Sequence, residues 1–339
     1  MSQISKWRKG TMKSLPKFPS GVSIETCGNC NMRCLHCYRS HNWKGKTLKN
    51  WSRIIDDLIL WRNYWNNLGE NFFVVFCGRK LNPQGAMVIR EIYEKTGDKI
   101  IIVDNGISPG IIEFSEQFDL FDCYSQVAIS IDGLEEDHDE QRQMKGAFQK
   151  TFKNFLKLRE IRESKGYDFD LITASVLSKI TTRGWPKFEK IAKENDMTLS
   201  VTFVLEAPET KKRAERILFS DDDLNKCFDM LCQGECKKDI IIYLSHAKIL
   251  KEKLEKLSWK EYDTYIQATL ENGTTLSYRP MSLSYAYEVD IMADGQVYTA
   301  ETGPDGNQVS LSGISNEERL KKTIENIIEE KSIWDCILE

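Results

Sequence analysis

The feature that most limits the fold of this chain is an alternation. VSIET (22–26), FFVVF (72–76), KIIIVDN (99–105), QVAISID (126–132), DLITASVL (170–177) and LSVTFVL (199–205) are short apolar runs. Between them lie amphipathic stretches of helical length: WSRIIDDLILWRNYW (51–65), MVIREIYEK (87–95), IIEFSEQF (111–118), FQKTFKNFLKLREIRE (148–163) and WPKFEKIAKEN (185–195). Strands this apolar, separated by helix-length crossovers, predict a parallel sheet covered on both faces. Right-handed connections would curl six such units into an α/β, partial (β/α)6 TIM-like barrel. A doubly wound open sheet has the same periodicity. In barrels of this kind function gathers at the C-terminal ends of the strands.

After about residue 206 the pattern changes, which divides the 339 residues into a basic arm (1–19), the barrel (20–206) and a smaller α+β C-terminal extension (207–339). The extension is expected to hold helices over DDDLNKCFDMLCQ (221–233) and AKILKEKLEKLSWKEYDTYIQATL (247–270), a hairpin over YEVDIMADGQVYTA (287–300), and a last helix over NEERLKKTIENIIEEK (316–331). The hairpin would turn at Asp294-Gly295, a two-residue turn signal. Lys6, Arg8, Lys9, Lys13 and Lys17 make the arm basic, the usual composition of a solvated tail.

A net charge of −4 gives no reason to expect a nucleic-acid partner. There is no secretory signal pattern and no apolar run near the roughly 18 residues that a membrane-spanning helix needs. The chain is therefore expected in the cytoplasm, without a membrane partner. Its ten cysteines would stay reduced there, so clustered ones point to metal binding or catalysis.

Four of the ten fall in ETCGNCNMRCLHCYRS (25–40): Cys27, Cys30, Cys34 and Cys37. The loop follows the first strand, on the face where function gathers. Three ligation schemes suit these thiols. A zinc site would use the two CxxC pairs, although such pairs usually stand roughly 12–20 residues apart. A closed iron–sulfur cluster would use all four thiolates. A third scheme uses Cys30, Cys34 and Cys37 on three irons and leaves the fourth iron open to a small molecule.

CNMRCLHCY resembles the CxxxCxxC signature of the radical S-adenosylmethionine (radical SAM) enzymes, including the asparagine and arginine inside the first gap. VAISIDGLEEDHDEQRQMKGAF (127–148) is similar to the family's SIDG…HD…R segment, and Asn105-Gly106 to its NG turn. The resemblance covers about residues 20 to 206. It implies one [4Fe–4S] cluster held by Cys30, Cys34 and Cys37, with S-adenosylmethionine chelated on the open iron. Reductive cleavage of the cofactor would give methionine and a 5′-deoxyadenosyl radical, which abstracts hydrogen from the substrate. It further implies that Ser130 and Asp132 contact the cofactor's ribose and Arg142 its carboxylate, with Asn105 at the same site. His36 and Tyr38 flank the place of the nucleoside. Cys27 stands outside the pattern as a bystander, and His138 is read as structural.

VVFCGRKLN (74–82) departs from the family. Members usually have GGE or GGEP at the end of the second strand, where backbone and carboxylate bind the cofactor's ammonium. Here Cys77, Gly78, Arg79 and Lys80 stand in those places. Gly78 remains as a backbone contact, but the acid is gone and two cations replace it, an unfavourable exchange beside an ammonium. Cys77, at the active face, is a candidate hydrogen donor; a buried inert thiol is the plainer reading. The C-terminal third is faintly similar to the SPASM/twitch extension that carries auxiliary clusters, but Ala300 stands where a cysteine is usual. Cys227, Cys232 and Cys236 do not share one helix face, so a second cluster there is not expected.

The resulting expectation is a radical SAM enzyme acting by epimerisation, dehydrogenation or another C–H functionalisation, with a flavodoxin or ferredoxin as electron donor. The first substrate choice is a small polar metabolite (sugar, aminoglycoside-like or nucleoside-like), because only about twenty residues precede the first strand. Glu206, at the end of the sixth strand, is a candidate substrate contact. Maturation of a ribosomally made peptide is the alternative within the class. A non-catalytic iron–sulfur protein using four cysteines is the alternative outside it.

Overall fold

The computed structural model describes residues 21–24, 30–37, most of 55–66, 73–77, 80–206, 208–261, 266–278, 288–291, 297–299 and 318. Each of the six apolar runs is a strand: β1 (Gly21–Ile24), β2 (Phe73–Cys77), β3 (Ile100–Asp104), β4 (Tyr124–Ser130), β5 (Asp170–Leu177) and β6 (Thr198–Phe203). Neighbours pair in parallel and in chain order, from β1 through β7 (Lys238–Ile242). A doubly wound sheet would reverse its order at a switch point. This sheet does not, so the barrel-type winding is the one adopted.

The crossovers are helices α1 (Pro83–Thr96), α2 (Gly110–Gln117), α3 (Glu135–Arg142), α4 (Ala147–Lys165) and α5 (Trp185–Glu194). Local chemistry sets their ends. In α1 the Asn82 side chain accepts the Gly85 N–H at 2.7 Å, and Pro83 takes the first turn, where its missing N–H costs nothing. Gly97 closes the helix in the left-handed conformation and returns its N–H to Tyr93 O. Helix α3 has no apolar stripe to betray it. Glu135, Glu136 and Asp137 in its first turn and Arg142 in its last complement the helix dipole instead.

The strands' outer face and the helices share one core. Ile129, Leu171, Val201, Phe203 and Ile240 from the sheet meet Phe155, Leu158, Trp185 and Phe188 from α4 and α5. On the other face the alternate residues, such as Ile172, Ala174 and Ser200, are half-buried and line the concave side.

The described strands after 206 join this same sheet. Helices α6 (Pro208–Lys211), α7 (Ala214–Ile217) and α8 (Asp221–Gln233) lead to β7, and α9 (Leu244–Ile249) and α10 (Lys251–Leu254) follow it. Strand β10 (Thr275–Tyr278) joins β7 in parallel, with β9 (Ile266–Thr269) and β8 (Lys260–Glu261) outside it. The expected hairpin is present as β11 (Glu288–Ile291) and β12 (Val297–Thr299), paired antiparallel, and β11 lies parallel to β1. Its turn at Asp294-Gly295 lies outside the described residues, as do the basic arm and all but Glu318 of the last helix. Among the described residues the sheet so formed has 12 strands. One expectation is corrected: 247–270 is not helical throughout. Helix ends at Leu254, whose carbonyl accepts the Trp259 indole N–H at 2.9 Å, and strands follow. The Lys/Glu-rich run concealed the β-branched residues beyond it.

Candidate functional site

The cysteine loop lies over the C-terminal end of β4 and is fastened there by backbone and arginine contacts. Leu35 N–H donates to Gln141 O at 2.8 Å, joining the loop to α3. Arg213, between α6 and α7, donates through Nη1 to the carbonyls of Cys34 (3.2 Å) and Leu35 (2.7 Å). Cys30 is exposed, Cys37 half-buried and Cys34 buried. Cys34 packs with Met32 and Ala147, and Cys37, Ile107 and Met144 lie against them.

Beneath the loop is a buried ion pair. Arg142 donates through Nε to Asp132 Oδ2 at 2.5 Å and through Nη2 to Oδ1 at 2.8 Å. Its Nη1 lies 3.9 Å from Cys34 Sγ. Burial works to raise the Asp132 carboxyl, but Arg142 outweighs it and holds the group well below the usual carboxylate range. The Cys34 thiol is pushed up to about 12 by burial, with Arg142 pulling the other way. Asp132 Oδ1 also accepts the Val176 N–H at 3.0 Å, so the carboxylate ties β4's end to β5.

His138 Nδ1 accepts the Asp132 N–H at 3.1 Å, and its fully buried ring packs edge-on against Phe148. His36 Nδ1 is 3.8 Å from Asp132 Oδ2. Burial lowers the His36 pKa to about 4, so the imidazole is neutral near pH 7 and the contact is no ion pair.

The second and third strand ends are linked by a residue that sequence reasoning missed. Asp104 Oδ1 accepts the Gly106 N–H and Oδ2 the Leu81 N–H, each at 2.7 Å. Burial pushes Asp104 up to about 6, against these two hydrogen bonds and the charge of Lys80. The Lys80 charge that looked misplaced in VVFCGRKLN therefore has a buried acid nearby. Asn105 Nδ2 donates to Asn31 Oδ1 at 3.0 Å, which brings together two of the family-like residues. Gly106 has φ +67°, and a Cβ there would meet Ile129 Cγ2 at 2.7 Å and Thr151 Cγ2 at 2.8 Å. Only glycine fits this turn.

Ser130 ends β4, half-buried. Cys77 ends β2 with its backbone registered to Val103. Glu206 is exposed and pairs with Lys211 at 2.9 Å. Tyr38, Gly78, Cys27 and the Cys77 side chain lie outside the described residues. Cys227 and Cys236 are packed in the main core, with Cys232 at its margin. Arg213 carried no sequence signal because it lies outside any motif, and Gln141, though inside the 127–148 segment, is not one of the residues that make its resemblance.

Among the described residues no three His, Cys, Asp or Glu side chains are placed to hold a single metal ion. A [4Fe–4S] cluster sets each thiolate on its own iron, so its ligands need not converge on one point. The residues present fit such a cluster: three soft thiols at one loop, apolar packing around Cys34 and Cys37, and a guanidinium to offset thiolate charge.

No protein-family model and no curated protein matches the chain. Solved structures do. Streptococcus suis SuiB bound to precursor peptide SuiA superposes with TM-score 0.59 at 14% identity, over 87% of this chain and 62% of SuiB. SuiB bound to S-adenosylmethionine gives 0.56 at 14% identity, over 87% and 61%. The protein anSMEcpe with bound AdoMet and a peptide gives 0.54 at 17% identity, over 91% and 82%. The chain thus spans less than two thirds of SuiB's length. The chain shares its fold with SuiB and anSMEcpe, proteins whose structures hold S-adenosylmethionine or AdoMet.

Proposed function

We propose that this chain is a radical SAM enzyme whose substrate is a peptide. The observation that carries the reading is the placement of Cys34: on a loop fastened over the C-terminal end of a parallel β-barrel strand, with Arg142 3.9 Å from its sulfur. The fold alone permits many chemistries; the loop selects one. When bound, the cluster supplies the electron that cleaves S-adenosylmethionine and so makes hydrogen abstraction from an unactivated carbon accessible.

The chain's own residues hold and orient. Cys30, Cys34 and Cys37 are the ligands. Arg142 offsets charge at Cys34 and is itself aimed by Asp132, whose buried carboxylate acts through the arginine. Ser130 and Asn105, at neighbouring strand ends, contact the cofactor together with neutral His36, Tyr38 and the Gly78 backbone. Cys77, the last residue of β2, is the candidate hydrogen donor. Gln141 and Arg213 hold the loop, and the apolar packing around Cys34 keeps water from it.

A peptide replaces the small polar metabolite as the preferred substrate. SuiB is similar over most of this chain and binds a precursor peptide, and anSMEcpe holds AdoMet and a peptide together. The test is anaerobic reconstitution with iron and sulfide, followed by strong reductant and S-adenosylmethionine. Formation of 5′-deoxyadenosine is expected, and its absence contradicts the reading. Deuterium should enter 5′-deoxyadenosine from a deuterated peptide pool. Transfer from deuterated sugars or nucleosides alone would restore the metabolite reading.

A further inference from the structure

The concave face of the sheet holds a cavity of about 630 Å³, within the range of small-molecule and side-chain sites. Its mouth, at the N-terminal ends of the strands, carries Arg159, Arg162 and Lys237 beside Asp170 and Asp196, a nearly balanced set. Three of the cavity's lining residues, Ala174, Ser200 and Asp239, belong to one cross-strand row that continues beyond the cavity. Ser130 on β4 is registered to Ala174 on β5, Ala174 to Ser200 on β6, Ser200 to Asp239 on β7, and Asp239 to Thr275 on β10. Registered neighbours in a parallel sheet share a face, so these side chains form one small, polar track. Ser130 is the residue assigned above to the cofactor.

Asp239 is the one ionisable side chain in that row, and its hydrogen bonding is lopsided. Thr275 Oγ1 and Ser277 Oγ both donate to Oδ1, each at 2.8 Å. Ser277 in turn accepts from Gln267 Nε2 at 3.2 Å, which fixes the hydroxyl pair. Oδ2 receives no donor, and no Lys or Arg pairs with Asp239, among the described residues. A half-buried carboxylate that lines a cavity, clamped by one oxygen and presenting the other, is an acceptor for a cation brought from outside.

We propose that Asp239 anchors a basic side chain of the substrate peptide, a lysyl ammonium or an arginyl guanidinium. This rests on the peptide reading above. Strands stand about 4.8 Å apart, so three spacings put Ser130 roughly 14 Å from Asp239 along the sheet. An extended chain covers about 3.3–3.6 Å per residue. The basic residue therefore lies within roughly four positions of the residue that reacts beside Ser130. Ala174 and Ser200 are small because the peptide passes over them.

The test uses the full chain and three probes: acetyl-Ala-Ala-Lys-Ala-Ala-amide, its norleucine counterpart, and n-pentylammonium, with binding read by ligand-observed NMR. Wild-type protein is expected to bind the lysine peptide and pentylammonium at least tenfold more tightly than the norleucine peptide. Asp239→Asn should erase that preference while keeping an acceptor for the two hydroxyls, and Ser200→Leu should block binding from the neighbouring position. Asp229→Asn, which removes an exposed acid paired with Lys253, should leave the preference intact. Equal binding of the two peptides, a preference that survives Asp239→Asn, or no binding of any probe overturns the proposal. Asp239-dependent binding of pentylammonium with neither peptide bound would keep the anchor and overturn the peptide reading instead.

Discussion

Arg142 grips Asp132 with two nitrogens and turns the third to within 3.9 Å of Cys34 Sγ, so one buried side chain joins the β4 end to the cysteine loop. Removing one partner of such a pair leaves the other charged and desolvated. Arg142→Met is expected to cost about 3–5 kcal/mol of stability in urea denaturation. The double variant Asp132→Asn/Arg142→Met should cost less than the two single changes summed, because no lone charge remains. Strict additivity would mean that the pair is not coupled.

The turn after β3 offers an internally controlled comparison. Gly106→Ala meets both a positive φ and contacts with Ile129 and Thr151 inside 3 Å, and should cost about 2–4 kcal/mol. Gly97→Ala has the same sign of φ but nothing within 4 Å, and should cost only about 1–2 kcal/mol. Chemical denaturation of the two variants checks the order.

Arg213 reaches the cysteine loop from beyond the sixth strand. Arg213→Ala is expected to leave folding nearly unchanged and to speed loss of iron to a chelator severalfold, followed by visible absorbance. Arg213→Lys should recover part of the retention, since one charged donor can still reach a carbonyl. Unchanged iron loss in Arg213→Ala would show that the clamp is dispensable.

Acid should destabilise the fold through His246. This buried imidazole packs against Phe203, and its Nε2 lies 3.4 Å from Val204 O, while its Nδ1 has no partner among the described residues. Burial lowers its pKa to about 4, against about 6.5 in the unfolded chain. Between those values the unfolded state binds the proton and the folded state does not, so stability falls as pH drops from 6.5 towards 4. The effect is on the order of 3 kcal/mol. His246→Gln should flatten that part of the stability–pH curve, measured by urea midpoints at successive pH values.

The six barrel strands were legible because each is an apolar run closed by turn residues; DLITASVL coincides with β5 from Asp170 to Leu177. Helix α3 was hidden, since its sequence EEDHDEQR has no apolar stripe and its buried face is made of His138, Gln141 and Arg142. Strand β7 went unread although Ile240, Ile241 and Ile242 mark it, because the surrounding Lys/Glu-rich segments suggested helix. The cysteines proposed as ligands were singled out by their spacing. Asp104, Arg213 and Asp239 were not, because each acts across strands or elements far apart in sequence, where no local pattern records the contact.

The central claim is that three cysteines, and not four, hold a cluster that cleaves S-adenosylmethionine. The direct measurement is iron content together with 5′-deoxyadenosine formation after anaerobic reconstitution of the wild-type chain and of single Cys→Ala variants at 27, 30, 34 and 37. The expected result is about four irons per wild-type chain, cleavage abolished in Cys30→Ala, Cys34→Ala and Cys37→Ala, and both properties kept in Cys27→Ala. Cleavage that persists in any of those three variants, or a cluster lost with Cys27, would contradict it.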